Sequence, residues 1–155
     1  MNFSVKFKVL APCYKGRSCK GYRNGELKWF YSDIDDLLIT EDEVYIYCKY
    51  MAQYLPLRDV KVVCWWTGLK VDEKEIYEGD IVRVYNFING LGDVEEYMGV
   101  VVFYKGAFCI EIKKAVNNPS ELISNQVGDK LPLFDFEGME VLSNIYDNPN
   151  LLKED

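Results

Sequence analysis

The chain reads as a mainly β protein with short helices, all-β or α+β, whose antiparallel strands roll into a closed or partly closed small barrel. Three observations predict this. Apolar residues alternate with polar ones in several separate runs. Gly- and Asn-containing turn signals separate those runs at short intervals. Aromatic residues are abundant, with 12 Tyr, 8 Phe and 3 Trp in 155 residues, which suits half-buried sheet surfaces and a sizeable core.

The elements follow in order. Phe3, Val5, Phe7 and Val9 alternate with Asn2, Ser4, Lys6 and Lys8, so the chain opens on a strand with a basic outer face. Pro12, Gly16 and Gly21 interrupt it. Asn24-Gly25 then stands between two β-prone runs and predicts a type I′ hairpin, because both residues tolerate positive φ. Residues 32–55 look different and predict a helical insertion. Asp33 suits the cap of a short helix through Ile39, and Thr40 with Glu43 has the form of a capping box. Val44, Tyr47, Cys48, Met51 and Leu55 fall at helical spacing, giving a helix over 41–54. Tyr45, Ile46 and Tyr50 keep a strand over 44–50 as the rival. Strand character resumes at 59–66 and continues at 81–88, 97–104 and 107–113. The run 97–104 is apolar on both faces, as a central strand would be. In the next strand Phe108, Ile110 and Ile112 face one way. Asn118, Pro119 and Glu121, followed by Gly128, predict a short helix over 119–127. A last strand at 139–146 leads to Pro149, placed for the first turn of a short helix. No composition break marks a linker, so a single domain over 1–155 is expected, with 1–60 and 61–155 as its natural subdivision.

Glu78-Gly79-Asp80 sits where strand 81–88 begins. Two carboxylates at one bend raise the question of a catalytic or metal pair, but no base, nucleophile or phosphate loop accompanies them. Two oxygens are also too few for calcium. The reading is a structural corner: Gly79 supplies unusual backbone angles, Asp80 bonds nearby backbone N–H groups, and Glu78 stays solvated.

The stretch "WTGLKVDEKEIYEGDIVRV" (66–84) resembles the defining segment of the YopX family of phage and prophage proteins. Thr67, Gly68, Leu69, Lys70, Lys74, Glu75, Ile76, Tyr77, Glu78, Gly79 and Asp80 match its pattern. "VVFYKGAFCI" (101–110) resembles the family's next hairpin, and "EVLSNIYDNPNLL" (140–152) its closing strand and Asn-Pro-Xaa-Leu end. The opening "VKFKVLA" is similar to its first strand. The chain departs from the pattern at Cys64-Trp65-Trp66, and at Val71-Asp72-Glu73, where Lys-Asn-Gly is usual; residues 32–60 carry no motif that aligns. The resemblance implies a mainly β protein with an SH3-like barrel in its carboxyl-terminal part and implies no reaction; the expectation of a cytoplasmic protein, in a bacterial host, comes from an apolar pattern that suits neither a membrane span nor a signal peptide.

The totals exclude several activities. With no histidine, Ser-His-Asp and Cys-His arrangements cannot form, and no Cys-x-x-Cys starts a zinc site. We therefore expect no catalytic residue, cofactor or metal, and no enzyme. No stretch approaches the roughly 20 apolar residues of a membrane span, and the alternating start does not resemble a signal peptide. Five cysteines at irregular spacing predict free thiols in a reducing compartment. Cys13 and Cys19 flank a basic loop, but without a histidine they are not expected to be reactive.

Two candidate surfaces remain. Net charge is −7, yet residues 1–31 hold seven Lys/Arg against Glu26 alone. Lys15, Arg17, Lys20, Arg23 and Lys28, interleaved with aromatics, form a candidate nucleic-acid contact. The plainer reading is a solvated basic hairpin whose aromatics face the core, or one that docks on the acidic body, because hairpins usually bury one aromatic face. Trp65 and Trp66 point to opposite faces of their strand, and one of them beside Tyr77 would suit a protein contact. The acidic clusters read as solvated faces. The favoured function is a non-enzymatic interaction module acting on a host or phage protein, or on a second copy of itself. A nucleic-acid-binding accessory protein is the alternative.

Overall fold

The structure is a computed structural model that describes residues 5–13, 25–33, 37–48, 53–87, 94–117, 127–133 and 136–153. The described chain is mostly antiparallel β-strand, and its only helical pieces are two 3-10 turns. It divides into two compact units, Met1–Trp66 and Thr67–Asp155, with the boundary inside one strand.

In the first unit β1 (Lys6–Pro12) pairs with β2 (Leu27–Asp33) on one side and with the start of β6 (Val62–Val71) on the other. Alternation turns Phe7, Val9 and Ala11 inward, where they meet Phe30 and Cys13. The segment expected as a helical insertion is a three-stranded sheet: β3 (Leu37–Ile39), β4 (Val44–Cys48) and β5 (Gln53–Pro56), in that order. Helix 41–54 and the short helix ending at Ile39 are thereby corrected. The rival strand is what forms over Val44–Cys48, and period two explains why. Ile46 enters the core with Leu55, while Tyr47 and Tyr54, opposite each other, pack with their rings tilted and 5.1 Å apart on the other face. Thr40 does engage Glu43, as a capping residue would. Its Oγ1 accepts the Glu43 N–H at 3.1 Å and donates to the Glu43 carbonyl at 3.0 Å, but this closes the β3–β4 turn. A 3-10 turn at Leu57–Asp59 then leads to β6.

Lys8, expected on a solvated face, is buried, with its ammonium over the Trp29 ring at 4.5 Å. Gly25 has positive φ, as the hairpin reading needs, and the Cys13 N–H donates to the Glu26 carbonyl at 2.8 Å. Asn24 and the strand expected before it lie outside the described residues. Cys13 is disulfide-bonded, which corrects the expectation of free thiols throughout.

In the second unit β6 continues into a hairpin with β7 (Lys74–Tyr77). A five-stranded antiparallel sheet follows in the order β11–β10–β9–β8–β12, curled into half of a barrel. Its strands are β8 (Asp80–Phe87), β9 (Val94–Tyr104), β10 (Ala107–Asn117), β11 (Lys130–Pro132) and β12 (Gly138–Asn144). β9 is central, as its two-sided apolar sequence predicts. Val82, Val84, Tyr97, Val101, Ile110 and Ile112 build the core on one face of this sheet, and Ile76 and Leu133 join them. Phe108 packs against that cluster, in line with the expected face of β10. Gly99 lies where a Cβ would come within 2.7 Å of the Glu111 carbonyl oxygen, so the close approach of β9 and β10 requires glycine there. Pro149 opens a 3-10 turn through Leu152, as expected. The helix expected at 119–127 lies almost wholly outside the described residues; Val127 and Gly128 form a turn.

Candidate interaction surface

The Glu78-Gly79-Asp80 bend is a structural joint. Gly79 has φ +90°, its N–H donates to the Val101 carbonyl at 2.8 Å, and its own carbonyl accepts the Ile145 N–H at 2.9 Å. One glycine thus bonds a residue of β9 and the residue that follows β12. Asp80 is buried, and its Oδ2 accepts the Tyr77 N–H at 2.8 Å, the turn role expected of it. Glu78 is half-buried and not fully solvated; burial raises its carboxyl above the ordinary value. The carboxylates do not converge on a common point with a third ligand: among the described residues no group of three or more Cys, Asp or Glu side chains is placed to hold a metal.

The neighbouring motif residues have equally local roles. Thr67 Oγ1 donates to the Ile76 carbonyl at 2.9 Å across the β6–β7 hairpin and accepts the Leu69 N–H at 3.2 Å. Gly68 between them has φ +90°. Tyr77 is buried and donates its hydroxyl to Glu75 at 2.6 Å, which corrects the expectation that it joins a surface patch.

Of the two tryptophans, Trp65 is 39 % exposed and tilts against Phe7 at 5.4 Å, while Trp66 is half-buried beneath Lys6, whose ammonium lies 4.9 Å from the ring. They occupy opposite faces, as adjacent strand residues must. Trp65 alone keeps substantial free surface. In the basic segment, Lys28 is half-buried and leans over the Phe30 ring at 5.7 Å. Lys15, Arg17, Lys20 and Arg23 lie outside the described residues. Cys64 and Cys109 are buried, and burial pushes the Cys109 thiol up, with Lys130 opposing and Glu111 adding to the shift, so its thiolate is disfavoured.

Two exposed apolar features were not read from the sequence. The first is β3, where Leu37, Leu38 and Ile39 are all exposed, Ile39 at 74 %. The second is the tip of the β9–β10 hairpin. There Phe103 is 57 % exposed against Phe108, with ring centres 5.1 Å apart, and Tyr104 lies beneath Lys105 and Lys130. The sequence signal for β3 was the β-branched and aromatic run at 44–47, which supplies its pairing partner.

A family model described as YopX protein matches residues 15–153. Among solved structures, the X-ray crystal structure of protein yopX from Bacillus subtilis is similar to this chain with a TM-score of 0.47. That similarity covers 100% of this chain and 99% of the other at 18% identity. No curated protein matches the chain.

Proposed function

The chain belongs to the YopX family, and on that premise we propose that it is a non-enzymatic, phage- or prophage-derived module that binds a protein partner in the host cytoplasm. The observation that carries this reading is the exposed apolar edge strand β3, where three consecutive large aliphatic residues meet solvent. Among the described residues no strand pairs with the outer edge of β3, and side chains on both of its faces are exposed, which is the geometry of a contact surface. Four of the motif residues that mark the family, Thr67, Glu75, Tyr77 and Asp80, are engaged in holding the β6–β7–β8 corner through internal hydrogen bonds. They support a scaffold role.

The test is affinity capture of the tagged full chain from host extract, with and without nuclease, alongside an Ile39→Lys variant. A nuclease-resistant protein captured by the wild type and lost by the variant is the expected result. Capture of nucleic acid alone, with binding that falls steeply as salt rises, overturns the reading and favours the basic amino-terminal segment.

A further inference from the structure

We propose that β3 accepts an extended peptide segment of a different protein by antiparallel strand addition, and that this segment carries Lys or Arg beside its apolar residues. The inference rests on the protein-interaction reading above and specifies its site and chemistry.

The comparison of sheet edges is the first argument. Six strands lie at sheet edges among the described residues. β2 carries Lys28, β5 ends in Pro56, β7 begins with Lys74, β11 contains Lys130 and Pro132, and β12 has a register shift between Val141 and Ser143. Lysine, proline and bulges are among the devices that keep sheet edges from pairing with other chains, as is shortness of the strand. β3, Leu37–Ile39, is short but has none of the other three.

Backbone geometry is the second argument. The Thr40 N–H donates to the Glu43 carbonyl at 2.8 Å, so Thr40 and Glu43 form a hydrogen-bonded pair. Antiparallel pairs alternate in kind. Leu38 opposite Tyr45 is then also hydrogen-bonded, whereas Leu37 opposite Ile46 and Ile39 opposite Val44 are not. The N–H and C=O groups of Leu37 and Ile39 therefore point away from β4, toward the open edge.

Charge decides the occupant. Between Lys28 and Lys49 the sequence has six acids, Asp33, Asp35, Asp36, Glu41, Asp42 and Glu43, and no base. Arg58 reaches one of them, Glu43, at 3.2 Å, while Glu41 and Asp42 are exposed. A second copy pairing along β3 would bring this acidic stretch against its like, which opposes self-association. A basic, apolar strand meets the opposite charge of the exposed Glu41 and Asp42 just beyond Ile39 and fills the open ladder.

The probe is a fluorescein-labelled decapeptide of alternating Val and Thr with two lysines at each end, titrated against the full chain by fluorescence anisotropy. Two control peptides carry N-methyl groups on alternate residues, or glutamate in place of lysine. The expected result is saturable binding of the probe and weakening of about tenfold or more for either control. The Ile39→Pro variant should show a similar loss, because proline removes an outward N–H while sparing the bonds to β4. If that variant fails to fold, Ile39→Lys and the N-methylated peptide report the same contact from the two sides. No binding of the probe, or equal binding of the N-methylated peptide, overturns the proposal. So does sedimentation showing that the chain dimerises through β3, with the dimer abolished by Ile39→Lys. A chain that ignores the probe yet captures one host protein equally with Ile39→Pro loses this inference and keeps the protein-interaction reading.

Discussion

Replacing Asp80 by alanine removes the acceptor of a buried backbone N–H. Asp80 Oδ2 lies 2.8 Å from the Tyr77 nitrogen, and both residues are buried, so water cannot substitute freely. A hydrogen bond to a charged group contributes about 1.5–3 kcal/mol, and an orphaned buried donor costs a comparable amount. A loss of about 2–3 kcal/mol is therefore expected for Asp80→Ala. Asp80→Asn keeps an acceptor oxygen and gives up the charge, so about half that loss is expected. Urea unfolding is the assay, and the probe matters. Trp29, Trp65 and Trp66 all fall within Met1–Trp66, so their fluorescence reports on the first unit, whereas Asp80 belongs to the second. Far-UV circular dichroism and amide hydrogen exchange at Tyr77 are the appropriate readouts. With a urea slope of about 2 kcal/mol/M, the midpoint should fall by about 1 M without a change of slope. A shift below about 0.2 M would refute the assignment of Asp80 as the residue that holds this corner.

Gly99→Ala should destabilise by about 1–3 kcal/mol in the same assay, because its Cβ would stand 2.6 Å from Ile110 Cγ2 and 2.7 Å from the Glu111 carbonyl oxygen, the latter backbone that cannot swing aside. Asp72 and Glu73 both adopt positive φ (+49° and +66°) in the β6–β7 turn, so Glu73→Gly should raise stability by about 0.5–1 kcal/mol, after allowing for the freer unfolded chain, as a higher thermal midpoint would show. Burial raises the Glu78 carboxyl, so the folded chain holds its proton more tightly than the unfolded chain and the ionised group is a penalty above the ordinary carboxylate range. Glu78→Gln should therefore be more stable than wild type near neutral pH and indistinguishable below that range; a difference that grows on acidification contradicts it. Glu111 shows the opposite sign: its hydrogen bond from Lys113 lowers its pKa, and the Lys113 and Lys130 charges act the same way, although partial burial opposes them. Glu111→Gln should cost up to about 1 kcal/mol at neutral pH. That difference should fade in a pH series of unfolding midpoints as acid protonates the wild-type carboxylate.

The four longer strands of the five-stranded sheet were legible from the residues because each is a β-prone run, alternating or apolar on both faces, and the bends between them carry turn chemistry; the short β7 and β11 were not. Lys105-Gly106, both at positive φ, close β9 onto β10, as the Gly-containing signal implied. Residues 32–55 were misread because two patterns coincide. Val44, Tyr47, Cys48 and Met51 satisfy helical spacing, and Thr40 with Glu43 satisfies the capping pattern, yet the same hydroxyl closes a hairpin equally well. The balance was tipped by long-range packing, Ile46 with Leu55 against Phe7 and Val9, which no local window contains. For the same reason Lys8 read as solvated: the ring that covers it, Trp29, arrives from the next strand. The exposed edge at Leu37–Ile39 was hidden by its own hydrophobicity, since three consecutive aliphatic residues ordinarily signal burial.

The bonding of Gly79 on both sides also sets an order of assembly. β8, β9 and β10 form by successive neighbour-to-neighbour turns, whereas Asn144 must find Asp80 from far along the chain. During synthesis the β8 margin therefore stands open until β12 has emerged to pair with it. Ile145, whose amide locks onto Gly79, is the latch that ends this vulnerable interval.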